Sequence, residues 1–226
     1  MKFLIEEKIG ESNKVQVIHN WADGEFIKPI KREENWFCKK YDIVNKLVIL
    51  YSGNIGLFHS LEILIEAADR LRDEKKIKFV FIGEGGKKKK LMIMAEQKKL
   101  GNVLFLPYQD KKVLPYSLTC ADLSVVSLEK GLDCVASPCK LYTSLAAGAA
   151  ILGITDSTSE VAQIIKQYNC GFNVEYNDVS KIVDIVKKLI GKRDKLNSLK
   201  ENSRRCFEQV FQKDKMIKKY YKLFSS

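Results

Sequence analysis

The sequence predicts an α/β protein built on a doubly wound parallel sheet. Short β-rich runs alternate with helical patterns along the chain, the arrangement of successive βαβ units. Most of those runs are near-continuous in Val, Ile, Leu and Phe, as strands buried on both faces are. The 226 residues are 46% hydrophobic, enough for one sizeable core.

The β-rich runs fall at 14–21 (KVQVIHNW), 46–53 (KLVILYSG), 78–85 (KFVFIGEG), 102–108 (NVLFLPY), 122–128 (DLSVVSL), 150–155 (AILGIT) and 170–176 (CGFNVEY). Between them, residues 60–74 space Leu61, Leu64, Ile65, Ala68 and Leu71 at intervals of three and four, one apolar helical face. A second helix is expected over 87–100. It opens on four consecutive lysines, the unfavourable end of a helix for positive charge unless an anion lies nearby. Further helices are expected at 140–147, 160–168 and 179–190. Asn177 or Asp178 suits the cap of the last of these, and Asn197 the cap of a following one. Cys206, Val210, Phe211, Met216, Tyr220 and Phe224 predict one or two amphipathic carboxy-terminal helices. Residues 24–45 fit neither period and read as a long loop or irregular arm. Right-handed crossovers in such a sheet place ligands outside the carboxyl ends of the strands. The residues just after each strand are therefore the informative ones.

Composition narrows the function. A 30% charged fraction beside 10% aromatics excludes disorder as the main state. Lys and Arg number 39 against 28 Asp and Glu, a formal charge of +11. Such an excess suggests an anionic partner: nucleic acid, an anionic membrane face or a phosphorylated ligand. A solvated lysine-rich surface accounts for it equally well. No nucleic-acid-binding motif or basic patch interleaved with aromatics occurs, so no nucleic acid is expected as a partner. The six cysteines form no CxxC pair and no Cys/His cluster with zinc spacing, so no metal is expected. Cys120 and Cys170 read as small core residues. The opening MKFLIEEKIG is not read as a signal peptide, and no run approaches the ~20 apolar residues of a membrane-spanning helix. A reducing, cytoplasmic location is expected, without disulfides.

Four strand-end loops could carry chemistry. Tyr51-Ser52-Gly53-Asn54-Ile55-Gly56 offers backbone N–H groups that can cradle a phosphate, or is an ordinary βα turn. Gly83-Glu84-Gly85-Gly86 is a partial glycine fingerprint without the dinucleotide spacing. It argues against NAD as a cofactor and leaves a generic nucleotide or phosphate contact open. Ala136-Ser137-Pro138-Cys139-Lys140 is the sharpest. Ser137 suits an N-cap, Pro138 the first helical position, and a helix start binds phosphate. Lys140 opposes the helix dipole there, a conflict that a bound diphosphate would remove; a capped helix with a solvated lysine is the alternative. In the fourth loop, Tyr108 could pack on a base, or be an ordinary rim tyrosine. Glu84, Glu129 and Asp133 are the nearby acids, solvated by default; Asp133 could hydrogen-bond sugar hydroxyls. The two histidines, His19 and His59, support no catalytic triad by spacing.

These loops, in order, resemble the carboxy-terminal domain of family-4 glycosyltransferases, enzymes of the GT-B fold with two facing Rossmann-like domains. The matching stretches are VIHNWADGEFIKP, YSGNIGLFHSLEILIEAA, FVFIGEGGKKKKL, VLFLPYQDKKVLPYSLTCADLSVVSL and ASPCKLYTSLAAGAAILGI, within roughly residues 15–175. The resemblance implies retaining transfer from a nucleotide-activated sugar, a UDP-sugar, in bacterial surface-polysaccharide synthesis. It implies Asn54, Gly56, Ser137 and Lys140 near the diphosphate, with Leu141 in the same helix start. Gly83, Gly85 and Tyr108 would lie near the base, and Asp133 near the donor sugar. Lys140 and Asp133 take the catalytic assignment. Relatives have an Arg soon after GNxG where this chain has Leu57, and a Glu for the ribose hydroxyls at Thr143. Their AAG-Arg-Pro is here Gly148-Ala149-Ala150.

The implied organisation is an amino-terminal strand and irregular arm (1–45), a Rossmann-like nucleotide-sugar-binding domain (46–190) and carboxy-terminal helices (191–226). A complete enzyme of this type carries a second domain for the acceptor, so a separate acceptor-binding polypeptide is expected, and with it an exposed apolar face on the terminal helices. Peripheral contact with the anionic inner membrane is a further expectation. A degenerate, non-catalytic nucleotide-binding or interaction module is the alternative, motivated by Leu57, Thr143 and Ala149-Ala150.

Overall fold

Six strands, β1 (Leu47–Ser52), β2 (Ile77–Ile82), β3 (Val103–Leu106), β4 (Leu123–Ser127), β5 (Ala150–Ile154) and β6 (Gly171–Val174), form one parallel sheet in the order β3-β2-β1-β4-β5-β6. This is a computed structural model, and it describes residues 2–10, 14–57, 59–128, 131 and 138–225. The order reverses between β1 and β4, the switch point where doubly wound sheets open a crevice. The helices are α1 (Lys2–Ile9), α2 (Trp36–Lys40), α3 (Glu62–Arg70), α4 (Lys88–Gln97), α5 (Leu114–Thr119), α6 (Lys140–Ala146), α7 (Glu160–Tyr168), α8 (Val179–Leu189), α9 (Arg193–Cys206) and α10 (Lys213–Phe224).

The apolar strand runs are explained by two cores, one on each face. Ile49, Tyr51, Phe79, Phe81 and Leu152 pack with α3, α4 and α8. Val48, Leu50, Val80, Ile82 and Ile151 pack on the other face with residues of α2, α6, α7 and α9. Successive strand residues point to opposite faces, so a strand covered on both sides must be apolar at every position. Cys120 and Cys170 are buried in the second core, as expected. Burial pushes the Cys170 thiol up to about 11.

Several local expectations need correction. Residues 14–21 form no strand; the one bridge nearby is an isolated parallel pair, Ala22 with Gln212. A period-2 pattern needs a neighbouring ladder to become a strand, and here Val17 is half exposed while His19 packs its ring edge on Phe211. The arm at 24–45 holds a short helix, α2, whose start is fixed by buried Asn35 accepting from the Phe37 and Cys38 N–H groups. Asp178 does cap α8, accepting from Lys181 N–H. Asn197 caps nothing, since α9 already begins at Arg193. The α5 helix leaves little pattern in the sequence because it is only six residues long, has Pro at its start and follows directly on a tight 3-10 turn at Lys111–Val113. Carboxy-terminal helices are present as α9 and α10, joined by a π-helical turn at Phe207–Phe211. Among them α10 exposes Tyr221 and Phe224 while Met216 is buried. No helix among the described residues is long and apolar enough to cross a membrane.

The lysine run at the start of α4 finds its anions within the protein. Lys87 and Lys90 reach the Glu62 carboxylate at 3.4 and 2.9 Å, and Lys88 reaches Glu84 at 2.6 Å. These carboxylates offset the charge–dipole conflict that the sequence raised.

A buried ion pair fastens the opposite end of the sheet. Asp122, just before β4, accepts from the Val48 N–H at 2.9 Å and from Arg32 at 2.6 Å. Arg32 spends its remaining donors on the Ile43, Lys46 and Cys120 carbonyls. Removing Asp122 leaves Arg32 charged, largely buried and without its counter-charge, a loss of about 3–5 kcal/mol. Asp122→Ala is therefore expected to lower the urea midpoint by that equivalent, and an exposed control, Glu25→Ala, to leave it within error.

Candidate functional site

The loops that follow β1, β2 and β3 meet at the carboxyl end of the sheet, and Lys140 at the start of α6 reaches the same place. The first two are in backbone contact. A Cβ on Gly83 would sit 1.9 Å from the Gly53 carbonyl oxygen, and one on Gly85 would sit 2.4 Å from that of Ile55. Both glycines have positive φ, +141° and +148°, where only glycine is unstrained. Backbone bonds complete the seam: Gly53 N–H to Ile82 O at 2.9 Å, Ile55 N–H to Glu84 O at 2.8 Å, and Gly83 N–H to Leu106 O at 3.1 Å. The Asn54 side chain lies between Gly56 and Gly85, within 3 Å of the Cβ position of each. Tyr108 stands at the rim, 54% exposed, its ring edge over Gly83.

Lys140, the first residue of α6, extends to the Gly53 turn. Its Nζ donates to the Tyr51 hydroxyl at 2.6 Å, lies 3.9 Å from that ring's centroid, and comes within 3.6 Å of where a Gly53 Cβ would be. Tyr51 in turn donates to the Asn54 carbonyl at 2.5 Å. Among the described residues no carboxylate lies within ion-pair distance of Lys140. Burial pushes its amine down to about 7 and raises the Tyr51 hydroxyl further above its ordinary range. A desolvated cation without a counter-charge, beside open backbone turns, is the arrangement that receives an anion.

The remaining candidates divide. Leu141 is wholly buried in the second core, and its N–H donates to the Pro138 carbonyl at 2.9 Å, so its side chain supports the helix and not the crevice. Pro138 lies two residues ahead of α6, not at its first position. Thr143 is half-buried and turns its hydroxyl back to the Lys140 carbonyl at 3.0 Å. Leu57 is 63% exposed beside Gly86. Glu84 holds Lys88. Glu129, Asp133 and Ser137 lie outside the described residues.

Sequence reasoning missed Tyr51 as the partner of Lys140, though it stands in the loop segment singled out. It also missed His59, whose Nδ1 is 2.8 Å from the Ser127 carbonyl at the end of β4. His59 thereby spans the switch point, and its carbonyl receives Lys87 at 2.9 Å. A third group couples the arm to the site. His19 Nδ1 is 2.7 Å from Glu160, which also accepts from the Tyr142 hydroxyl of α6 at 3.1 Å, while Asn20 contacts Cys139 Sγ at 3.5 Å. No spacing rule connects residues 141 positions apart.

Two outcomes are expected. Gly83→Ala should cost more than about 2 kcal/mol in chemical denaturation, from its strained φ and the clash with Gly53. Gly101→Ala, which meets open space, should stay within about 0.5 kcal/mol. Lys140 is protonated in the unfolded chain up to its ordinary value of 10.5, but in the folded one only up to about 7. The unfolded state therefore binds more protons between those values, and stability rises with pH across that window. Lys140→Met should raise the melting temperature by a few degrees at pH 7, the gain shrinking towards pH 10, as followed by thermal circular dichroism.

Comparison with known proteins bears on the family and the fold. Residues 33–206 match the family model described as Glycosyl transferases group 1. The chain is 41% identical over 124 residues to WcaI of Escherichia coli K12, named as a glycosyl transferase of colanic acid biosynthesis, covering 55% of this chain and 30% of that protein. It is 27% identical over 190 residues to WbjE of Pseudomonas aeruginosa, named as a glycosyltransferase, covering 81% of this chain and 46% of that protein. The chain thus spans less than half the length of these relatives. Among solved structures, HepE of Anabaena in complex with UDP-glucose superposes with a TM-score of 0.82 at 14% identity, over 99% of this chain and 61% of that one. The carboxy-terminal domain of LpcC from Francisella tularensis, titled a glycosyl transferase group 1 family protein, gives 0.70 at 21% identity, over 85% and 99%. The structural likeness establishes the Rossmann-like fold, and the family match, over most of the chain, establishes the membership: this chain belongs to the group 1 glycosyl transferases.

Proposed function

We propose that the domain binds a UDP-sugar and acts as the donor half of a retaining glycosyltransferase of surface-polysaccharide synthesis, completed by a separate acceptor-binding half. The observation that carries the reading is Lys140, a desolvated amine on the Gly53 turn with no carboxylate in ion-pair range among the described residues. In transfer from such a donor the leaving group is a nucleoside diphosphate, and holding its developing charge is the main catalytic task. Lys140 and the N–H groups at the start of α6 supply positive potential at that place. Asn54 and the glycine seam admit the diphosphate close to the backbone, and Tyr108 offers a ring face at the rim for the base. Asp133 keeps its proposed role against the donor sugar. The UDP complexes of HepE and the colanic acid relative support the donor class and the pathway type. An acceptor carried on the cytoplasmic face of an anionic membrane suits the chain's charge of +11.

A second reading, a degenerate nucleotide-binding or interaction module without transferase activity, rests on Leu57. It presents an apolar side chain to solvent beside the seam where the family pattern has a cation.

Calorimetric titration with UDP, with ADP and GDP as competitors, tests the first reading. UDP should bind selectively, and Lys140→Ala should weaken it at least tenfold. Absence of binding by folded protein would favour the second reading. Because a bound diphosphate favours the ammonium form of Lys140, UDP binding should take up protons above pH 7.5, with affinity falling by up to tenfold per pH unit at the steepest. Lys140→Arg, charged throughout, should flatten that profile.

A further inference from the structure

A recess of about 470 Å³ opens at the amino ends of β1 and β4, the end of the sheet opposite the Lys140 crevice. The six residues of β1 separate the two by roughly 20 Å, so one ligand cannot occupy both. Five cations line the recess, Arg32, Lys46, Lys76, Arg193 and Lys200, against a single carboxylate, Asp122. That carboxylate is already held by Arg32, by Lys200 at 3.4 Å and by the Val48 N–H. Arg32 is committed to three carbonyls as well as Asp122, and Lys46 to the Lys75 carbonyl at 2.6 Å. Lys76 and Arg193 are left, both exposed and with no acidic partner among the described residues.

The wall carrying Arg193 is the first turn of α9, a helix of 14 residues whose start has no side-chain cap. Its free N–H groups and dipole add positive potential to the same space, and Asp194 of that first turn is not part of the recess lining. Asn45 and Asn197 add neutral hydrogen-bonding groups at the edge. Nothing in the proposed donor site uses any of these residues.

We propose that this recess binds a phosphate-bearing small molecule, a phosphomonoester or diphosphate, with Lys76 and Arg193 meeting its charge. A recess of this size matches small-molecule sites in volume, and its concavity favours a soluble ligand over a lipid headgroup presented on a flat surface.

The probe is inorganic pyrophosphate, titrated calorimetrically into the Lys140→Ala variant so that the crevice at the other end is disabled. Saturable binding is expected, weakened at least tenfold when Lys76→Gln and Arg193→Gln are added. Both side chains are exposed, and an unchanged urea midpoint would confirm that the added substitutions leave the fold intact. Absent binding, or binding indifferent to that pair, would overturn the proposal. So would co-sedimentation with phosphatidylglycerol vesicles that depends on the pair while pyrophosphate fails to bind, since the partner would then be a membrane surface. UDP binding by the unaltered chain, measured alongside, reports on the donor reading separately.

Discussion

The seam between β1 and β4 organises this molecule. The two strands pair at only two positions, Ile49 with Leu123 and Leu50 with Ser124, while β1 pairs with β2 along its whole length. Asp122 clamps the amino end of the seam through the Val48 N–H and Arg32. Beyond Leu50 no further pair joins the strands, and the crevice lies there, with Tyr51 on one side and Lys140 of α6 reaching it from the other. His59 bridges the gap with one hydrogen bond to Ser127. A sheet that is tied at one end and spread at the other needs no special loop to make a pocket; the topology supplies it.

The fold was legible because a sheet covered on both faces leaves an unambiguous mark. Runs such as KLVILYSG and KFVFIGEG admit few other readings once amphipathic helices separate them. The run KVQVIHNW shows where that signal fails. Periodicity reports which side chains dislike water, not whether a neighbouring strand exists to complete the ladder. Short helices such as α2 and α5 offer fewer than two turns of pattern, so only the Asn35 cap or the Pro115 start could have announced them.

The site was legible in outline for a similar reason. Glycines after strands mark close approaches, and the contacts of Gly83 and Gly85 with the neighbouring loop give those glycines a steric cause. What the sequence could not supply were partners distant along the chain. Tyr51 and Lys140 are 89 positions apart. The lysines of α4 looked like an anion site because Glu62, a turn-start residue of another helix, carries no sign that it faces them. Leu141 looked like a pocket residue by adjacency to Lys140, but a helix turns consecutive side chains through roughly 100° and sends it into the core.

The glycine seam also bears on how recognition is energised. Because Gly83 and Gly53 touch backbone to backbone, and Gly85 meets Ile55 in the same way, the loops after β1 and β2 form one body. Neither can rearrange without the other. Ordering flexible loops around a ligand costs entropy, and that cost is subtracted from whatever the contacts provide. Here most of it is met during folding, where the two parallel strands already hold the loops in register. Even a modest set of polar contacts, spread over a seam this stiff, can leave a net favourable affinity.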